Sequence, residues 1–458
     1  MLRRQANRKK GLRIAEQMYQ NPTSVLHQVN KNRSDYVAAC RFFKNSKVEH
    51  SKIVQPLIDS TVKAAAGKDV MVVQDTSEVN YEDHAGYLNE NDTDLGPTGN
   101  NKDIGFFIHP SIVIDLENEM LLGASDVFIW NRQYGKIDKT DRQYKELPIT
   151  EKESFRWIES AQRSKQVLKE AASILFVSDR ESDIYEEFIS IPDEKSDVLI
   201  RSRKTRILYG SDKKLYEHLA SQPLAGSISV NIRKAKNRQA RQATLNVRYD
   251  KVNILKPRRK QGQNNTLPKY VELYAIEVKE TASSVPAGEK PICWVLLTTK
   301  PVNNLVEALD LIKCYALRWQ IELVFATLKS NGLNIEESQL ETGKALKSIC
   351  VMSLITALRI NQLRLAHNDK SMAPATIVFT PEQIIFLEVL LLRWEGKTQK
   401  QKNPHPPQSL AWAVWIIARL GGWKGYSSES PPGNKTMYIG WNDFNRIYDG
   451  WELAQNKP

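Results

Sequence analysis

The sequence predicts a protein of the α/β class that carries an inserted antiparallel β region and helical segments at both ends. Two short apolar runs, DVMVVQD (69–75) and SILFVSD (173–179), are typical of buried strands. A stretch of antiparallel strand patterns follows at about 195–300, and helical patterns come after it. Because these patterns occur in one chain, we expect a mixed sheet flanked by helices.

The charge of the chain favours a polyanionic partner. The 458 residues contain 65 Lys and Arg against 53 Asp and Glu, a formal net charge of +12. Nucleic acid is the usual partner of such a protein, although charge alone leaves a basic protein without such a partner as an even alternative. With 41% apolar residues, the chain can bury large cores, and its length suggests about three domains.

The cysteines and the N-terminal segment indicate in which cellular compartment the protein is expected to act. The four cysteines are too scattered for a CxxC zinc site or a disulfide framework, which favours a reducing compartment. The basic N-terminus is followed by no apolar core of a signal peptide, and we find no apolar run of 18 residues. These features predict a cytoplasmic protein with no membrane partner.

Composition divides the chain into three predicted regions. Residues 1–50 carry short helical patterns rich in Arg and Lys, which suit a small DNA-facing module. Residues 51–370 hold the strand patterns, including the β insertion at about 195–300. Residues 371–458 contain two apolar helical segments separated by a basic connector with prolines.

The elements of the central region follow from local periodicity. FFIHPSIVIDL and MLLGASDVFIW, separated by ENE, predict a hairpin. Helical patterns cover about 151–171 and DIYEEFI, and residues 303–330 predict one long helix. These helices would flank the two buried strands.

The long helix carries a polar stripe. Tyr315, Arg318, Glu322 and Lys329 are spaced by three, four and seven residues, so they fall on one helical face. A carboxylate flanked by two cations and a phenol suits a site that holds a metal ion against a phosphodiester. The alternative is an ordinary surface ion pair between Arg318 and Glu322, worth about 0.3–0.5 kcal/mol.

Three carboxylates from different elements could meet in one site. Asp75 and Asp179 each follow an apolar run, and Glu322 lies on the helix. Three such ligands can hold two hard divalent ions that assist an in-line displacement at phosphorus.

Each strand-end carboxylate has a structural alternative. Asp75 could be a strand-end cap, and Asp115 in VIDLEN has a similar appearance. Asp179 could be a helix N-cap, with Glu181 and Asp183 placed to favour the helix dipole. The pattern alone leaves these alternatives open.

The stripe matches the Y-x2-R-x3-E-x6-K signature of a known family. QDTSEVNY, VSDRESDIY, WVLLTTKPV, FTPEQ and SLAWAVWIIARLGGW occur in that family's order along the chain. The sequence therefore resembles the bacterial DDE transposases of the insertion-sequence-four family, among relatives of the transposon-five (insertion sequence fifty) transposase. The resemblance covers nearly the whole chain.

The resemblance implies a fold and a set of functional residues. It implies an RNase H-like catalytic domain with an inserted β domain, a helical N-terminal DNA-binding region and a helical C-terminal dimerisation domain. The catalytic and metal-binding residues would be Asp75, Asp179 and Glu322. The ions would be two Mg²⁺ per site, with Mn²⁺ as a substitute.

The resemblance also implies DNA-binding residues. Tyr315, Arg318 and Lys329 would bind phosphates around the transposon end. Trp294 would stack on a base flipped from the duplex, an interaction worth roughly 1–3 kcal/mol. A half-buried strand tryptophan is the alternative for Trp294.

The implied reaction is cut-and-paste transposition. Water frees a 3′-OH at the transposon end, this hydroxyl forms a hairpin with the opposite strand, the hairpin is hydrolysed, and the end joins target DNA. The partners would be double-stranded transposon ends and target DNA, with a homodimer assembled on the DNA through the C-terminal helices. The protein would act in the bacterial cytoplasm, at the nucleoid when bound to DNA.

Two other functions fit the same resemblance. The N-terminus begins in what looks like the middle of the family's first DNA-binding segment, so we expect a shortened end-recognition region. A shortened chain could act as a non-enzymatic DNA-binding inhibitor of transposition. An RNase H-like nuclease that cuts without joining is the other alternative.

Overall fold

A computed structural model describes residues 2–30, 32–89, 91–134, 147–232, 239–258, 266–367, 373–426 and 429–455. The described helices are α1 Leu2–Gln20, α2 Leu26–Val29, α3 Arg33–Lys44, α4 His50–Ala65, α5 Phe155–Val167, α6 Glu187–Ser190, α7 Leu215–Ala220, α8 Leu305–Leu317, α9 Trp319–Lys329, α10 Gly343–Ala366, α11 Pro381–Trp394, α12 Leu410–Leu420 and α13 Asn434–Gln455. The described strands are β1 Asp69–Gln74, β2 Ser77–Asn80, β3 Gly96–Pro97, β4 Ile104–Asp115, β5 Leu121–Trp130, β6 Ser173–Ser178, β7 Ser196–Arg201, β8 Gly226–Ile232, β9 Arg241–Leu255, β10 Tyr270–Glu280 and β11 Cys293–Thr298.

The chain forms two compact units, and each contains discontinuous segments. The first unit comprises Met1–Ala64, Thr76–Gly135 and Trp319–Pro458. The second comprises Ala65–Asp75 and Lys136–Arg318. The predicted boundaries at about residues 50 and 370 stay a prediction.

The second unit is built on a mixed sheet with the strand order β1-β6-β7-β11-β10-β9-β8. β1, β6 and β7 run parallel, and the strands from β7 through β8 pair antiparallel. Nearly every residue of β1 and β6 is buried, as expected for parallel strands covered on both faces. Helix α8 packs against β6, and α7 packs against β9 and β10.

The first unit combines a small antiparallel sheet with a helical core. β4 pairs with β2, β3 and β5. Helices α10 to α13 pack around a core that includes the buried side chains of Trp412, Trp415 and Trp441. Helices α12 and α13 approach closely at Gly440, where a Cβ atom would lie 1.9 Å from the carbonyl oxygen of Ile417.

The structure confirms the α/β class with its mixed sheet flanked by helices. It also confirms the hairpin, which is β4 and β5, and the antiparallel character of the inserted region. The RNase H-like assignment stays a prediction. The prediction of one long helix at 303–330 was wrong in detail: α8 ends at Leu317 and α9 begins at Trp319. Arg318 between them keeps helical dihedral angles, with φ −49° and ψ −32°.

Helix α10 is long and apolar enough to cross a membrane by length and composition. Core helices pass the same test, and 72% of its apolar window is buried within the protein. It is therefore weak evidence for a membrane span. The four cysteines are free thiols; Cys350 is buried, Cys40 and Cys314 are partly exposed, and Cys293 is exposed.

Candidate active site

Two of the predicted carboxylates lie at the same edge of the second unit's sheet. β1 and β6 are neighbouring parallel strands, and Val73 is paired with Val177 in their register. Asp75 and Asp179 each lie two residues beyond these partners. The carboxyl ends of parallel strands are where open α/β sheets place ligand sites. The strand-end pattern in the sequence therefore located both residues.

Asp75 forms an ion pair with Arg318. Nη1 of Arg318 donates to Oδ2 of Asp75 at 2.9 Å, and the two side chains are 13% and 16% exposed. The sequence suggested Glu322 as the alternative partner of Arg318 at four-residue spacing. The contact with Asp75 spans 243 residues of sequence and joins the end of β1 to the end of α8. It brings a predicted ligand and a predicted phosphate-binding residue together.

Asp179 begins a tight turn after β6. Its Oδ1 accepts the backbone N–H of Glu181 at 2.8 Å, which makes Asp179 the N-cap of a short 3₁₀ helix, Arg180–Ser182. The capping alternative is thus confirmed. A carboxylate has about four lone-pair sites, so one capping bond leaves Asp179 able to act as a ligand.

Tyr315 lies in a cluster with an indole and two guanidinium groups. Its ring meets that of Trp294 edge to face, with centroids 5.3 Å apart, and the charges of Arg201 and Arg318 act on its phenol. Burial raises the pKa of Tyr315, and the charges of Arg318 and Arg201 oppose that shift, while Asp179 adds to it. The phenol is therefore a neutral hydrogen-bond donor at physiological pH.

Arg201 is the residue that the sequence reading missed. It is the last residue of β7, directly after Ile200, which is paired with Ser178 of β6. Arg201 thus follows an apolar run in the same way as Asp75 and Asp179 do, and this position was the available signal. Its Nη2 also donates to the carbonyl oxygen of Cys293 at 3.0 Å.

Glu322 and Lys329 belong to the first unit, on α9, which begins one residue after Arg318. A buried amide holds this helix in place. Nδ2 of Asn434 donates to the carbonyl oxygen of Leu323 at 2.9 Å, the hydroxyl of Thr327 at 2.8 Å and Oδ1 of Asn361 at 2.7 Å. Helices α10 and α13 thereby fix the rotation of the helix that carries Glu322.

Lys329 is engaged with protein groups in the first unit. Its Nζ donates to the carbonyl oxygen of Glu78 at 2.9 Å and pairs with Glu336 at 2.9 Å. Oε1 of Glu336 also accepts the N–H of Asn80 at 2.9 Å. Lys329 is only partly exposed, so binding a phosphate would require it to share its donors with these groups.

The rival carboxylate Asp115 has a structural role. It ends β4, is 1% exposed, and accepts the N–H of Glu117 at 2.9 Å in the hairpin turn. Turn bonds of this kind are the usual reason for an aspartate at such a position. Asp115 therefore needs no ligand role to explain its burial.

The donor chemistry of Asp75 and Asp179 suits hard divalent ions. Within the described ranges, no group of three or more His, Cys, Asp or Glu side chains could hold a metal ion. Carboxylate oxygens are the ligands that Mg²⁺ and Mn²⁺ prefer. The Arg318 guanidinium bonds one oxygen of Asp75, so a bound ion would use the remaining lone pairs of this carboxylate or displace Arg318 from that oxygen.

One family model matches a part of this chain that includes most of the candidate site residues. Residues 154–359 match the family model of the transposase DDE domain, a stretch of less than half of the chain. Asp179, Trp294, Tyr315, Arg318, Glu322 and Lys329 lie within the match, and Asp75 lies before it. The match supports a DDE transposase, and the insertion-sequence-four assignment stays a prediction.

One solved structure is similar over most of the chain, at low identity. It is a cryo-EM structure of the piggyBac transposase synaptic complex with hairpin DNA. The identity is 9%, the TM-score is 0.35, and the similarity covers 89% of this chain and 59% of the other. This chain therefore spans about three fifths of that protein's length.

Proposed function

We propose that this chain is a DDE transposase that cleaves DNA at transposon ends and joins them to target DNA. The observation that carries the proposal is the placement of Asp75 and Asp179 at one edge of a mixed sheet, beside Arg318 and Tyr315. The match to the transposase DDE domain supports it independently. The basic charge of the chain suits a DNA partner.

The residues at this edge have separate roles in the proposed reaction. Asp75 and Asp179, with Glu322 as the third ligand, would hold divalent ions. When bound, such ions would activate the attacking oxygen and stabilise the leaving oxygen. The Arg318 guanidinium would neutralise a DNA phosphate beside the bound ions. Tyr315 would donate a hydrogen bond to a neighbouring phosphate oxygen.

Trp294 and Arg201 would complete the DNA contact. Trp294 is half-buried at the start of β11, and its edge contact with Tyr315 fixes the ring orientation. A face of such a ring can stack on an unpaired base. Arg201 brings a second cation to the same edge, where its charge acts on the Tyr315 phenol.

The proposed chemistry proceeds by direct transfers at phosphorus. Water attacks the phosphodiester at the transposon end, and the bond to the terminal 3′-oxygen breaks, which leaves a 3′-OH. This hydroxyl attacks the phosphodiester of the opposite strand, the bond to the 3′-oxygen of the flanking DNA breaks, and a hairpin closes on the transposon end. Hydrolysis reopens the hairpin, and the same 3′-OH then attacks a target phosphodiester. No covalent bond to the protein is required.

The direct test is cleavage of a labelled duplex built from inverted repeats, once these are identified in the DNA that flanks the reading frame. The full chain should nick this duplex in Mg²⁺ or Mn²⁺, and Glu322→Gln should abolish nicking. Asp310→Asn removes a carboxylate that is exposed on α8, so it serves as the matched control. Retained nicking by Glu322→Gln would remove the basis of the assignment.

The same assay separates the other functions. Cutting without joining of a pre-cut end to target DNA would indicate a nuclease. Tight end binding without cutting in either metal would indicate a DNA-binding inhibitor.

We also propose that two copies assemble on DNA through α11. Ile385, Val389 and Leu392 are 54%, 50% and 84% exposed, and their spacing places them on one helical face. The opposite face of α11 is buried in the helical core. A row of exposed apolar residues on a helix is typical of an interface, here with a second copy.

Light scattering of the protein–DNA complex tests this surface. Leu392→Glu should reduce the complex from two protein chains to one. Val306→Glu changes an apolar residue of α8 that is 67% exposed, and it should leave two chains. An unchanged mass for Leu392→Glu would exclude α11 as the interface.

A further inference from the structure

A buried ion pair lies at the end of the turn that begins at Asp179. Arg206 pairs with Asp183, and their side chains are 8% and 1% exposed. Nε of Arg206 donates to Oδ1 of Asp183 at 3.0 Å, and Nη2 donates to the backbone oxygen of Asp183 at 2.7 Å. The N–H of Arg203 donates to the other carboxylate oxygen, Oδ2, at 2.9 Å. Asp183 is thus held through both side-chain oxygens and its carbonyl.

The pair joins two segments that belong to the candidate active site. Asp183 ends the turn that begins at Asp179, and Arg206 lies in the loop that follows Arg201. The preceding residues Ser178 and Ile200 are register partners in the parallel strands β6 and β7. The paired strands fix only the first residues of the two segments. The ion pair fixes the positions of the residues that follow.

Two further contacts hold the same turn. The Ser182 hydroxyl donates to Oε1 of Glu187 at 2.6 Å, and both residues are buried. Nη2 of Arg156, on α5, donates to Oε2 of Glu181 at 3.0 Å. Glu181, Ser182 and Asp183 therefore each make a side-chain contact with another segment. These three contacts hold the turn that begins at Asp179.

Stability alone does not account for a buried pair of this kind. The cost of removing two charges from water offsets most of their attraction, so apolar replacements are often neutral or stabilising. Positioning a catalytic group requires precise contacts, because a displacement of about 1 Å in such a group can cost about 100-fold in rate. Ligand residues therefore need supporting contacts that lock their positions.

We infer that the Asp183–Arg206 ion pair positions the Asp179 carboxylate beside Arg201 for DNA cleavage. The inference rests on the proposed function and adds two positioning residues to it. Neither residue is required to touch DNA or the reacting atoms. Loss of the pair should leave DNA binding in place and should loosen the Asp179 turn.

Asp183→Asn is the main variant. Asparagine keeps one oxygen that can accept from Arg206. Its N–H₂ group then faces the N–H of Arg203, which loses its acceptor. The matched control is Glu280→Gln, because Glu280 forms a similarly buried pair with Arg241 in the same unit, with side chains 0% and 12% exposed. That pair lies on β9 and β10, away from the Asp179 turn.

The first measurement is hydrogen exchange of the metal-free, DNA-free protein. In Asp183→Asn, amides of residues 179–184 should exchange at least about 10-fold faster than in the wild type. In Glu280→Gln, faster exchange should be confined to β9, β10 and the following segment through Ile292, whose N–H Glu280 accepts. This measurement reports how readily the turn opens, and it does not depend on nicking activity.

The second measurement is the divalent-ion dependence of nicking. For Asp183→Asn, the Mg²⁺ concentration for half-maximal nicking should rise at least about 10-fold, with end binding changed less than about 2-fold. Arg206→Lys keeps the charge but loses the fork that reaches both carboxylate and carbonyl, so its shift should be intermediate. Glu280→Gln should show the ion dependence of the wild type.

The outcomes separate this inference from the proposed function. A wild type that nicks, with an Asp183→Asn variant of unchanged ion dependence and unchanged exchange at 179–184, would overturn the positioning role alone. A wild type that does not nick in either metal would overturn the proposed function. If Asp183→Asn does not fold, the uncharged pair Asp183→Asn with Arg206→Gln is measured in its place, and failure of that protein to fold would assign the pair a purely structural role.

Discussion

Glu187 offers a test of how burial near the Asp179 turn affects stability. Its side chain is 1% exposed and accepts the Ser182 hydroxyl at 2.6 Å. Burial raises the pKa of Glu187 to about 8, the hydrogen bond from Ser182 opposes the shift, and the charge of Asp183 adds to it. The folded protein therefore keeps this carboxyl protonated at pH 7, where an unfolded chain would have lost the proton.

The sign of the pH effect follows from proton counting. Between pH 4.5 and pH 8 the folded state binds more protons at this site than the unfolded state, so the free energy of unfolding falls as pH rises. The contribution is fully present below pH 4.5 and is lost by the time the pH passes the folded pKa. Each pKa unit corresponds to about 1.4 kcal/mol, so the loss from pH 5 to pH 8 is about 3–4 kcal/mol.

Glu187→Gln removes the titration and keeps an oxygen that can accept from Ser182. We expect the variant and the wild type to have similar stability at pH 5, and the variant to be more stable by about 3–4 kcal/mol at pH 8. Calorimetric unfolding midpoints at pH 5, 6, 7 and 8 measure the difference. Glu194→Gln, at an exposed carboxylate four residues after Ser190, is the matched control. A Glu187→Gln difference that does not change with pH would refute the assigned protonation state.

Three further substitutions test the candidate site and its support. Arg318→Ala should weaken end binding and lower the salt slope of binding by about one, since one phosphate contact is lost. It should also cost about 1–3 kcal/mol of stability, because Asp75 loses one of its hydrogen bonds. Salt-titrated binding and thermal unfolding measure both effects, and an unchanged slope would exclude the phosphate contact. Trp294→Ala should cost about 1–3 kcal/mol of binding to ends with an unpaired base and much less with a fully paired duplex; equal losses would exclude stacking. Asn434→Ala should lower stability by about 1–3 kcal/mol, because the oxygens of Leu323 and Asn361 lose a buried donor; a melting temperature within error of the wild type would contradict that role.

Local sequence patterns identified the strand ends well. The apolar runs before Asp75 and Asp179 predicted buried strands, and β1 and β6 are such strands. Their parallel pairing then places both carboxylates at one edge, which no single run could show. The antiparallel insertion was predictable for the same reason, since alternation along each strand is a local signal.

Partners across long sequence separations were not predictable. Four-residue spacing suggested Glu322 as a partner of Arg318, but it could not show that the Arg318 guanidinium contacts Asp75. A helix-dipole role was one alternative for Asp183, and the structure shows it as a buried partner of Arg206. Charge type and spacing describe one element at a time, whereas these pairs depend on how the strands bring separate segments together.

Strand transfer tests the central claim most directly. A pre-cut transposon-end duplex with a free 3′-OH is incubated with a supercoiled target plasmid, the full chain and Mg²⁺ or Mn²⁺. We predict that labelled end DNA joins covalently to the plasmid, that chelation of the metal stops joining, and that Asp179→Asn stops it while end binding persists. Joining at the wild-type rate by Asp179→Asn, or no joining by a wild type that binds the ends, would contradict the proposed transposase.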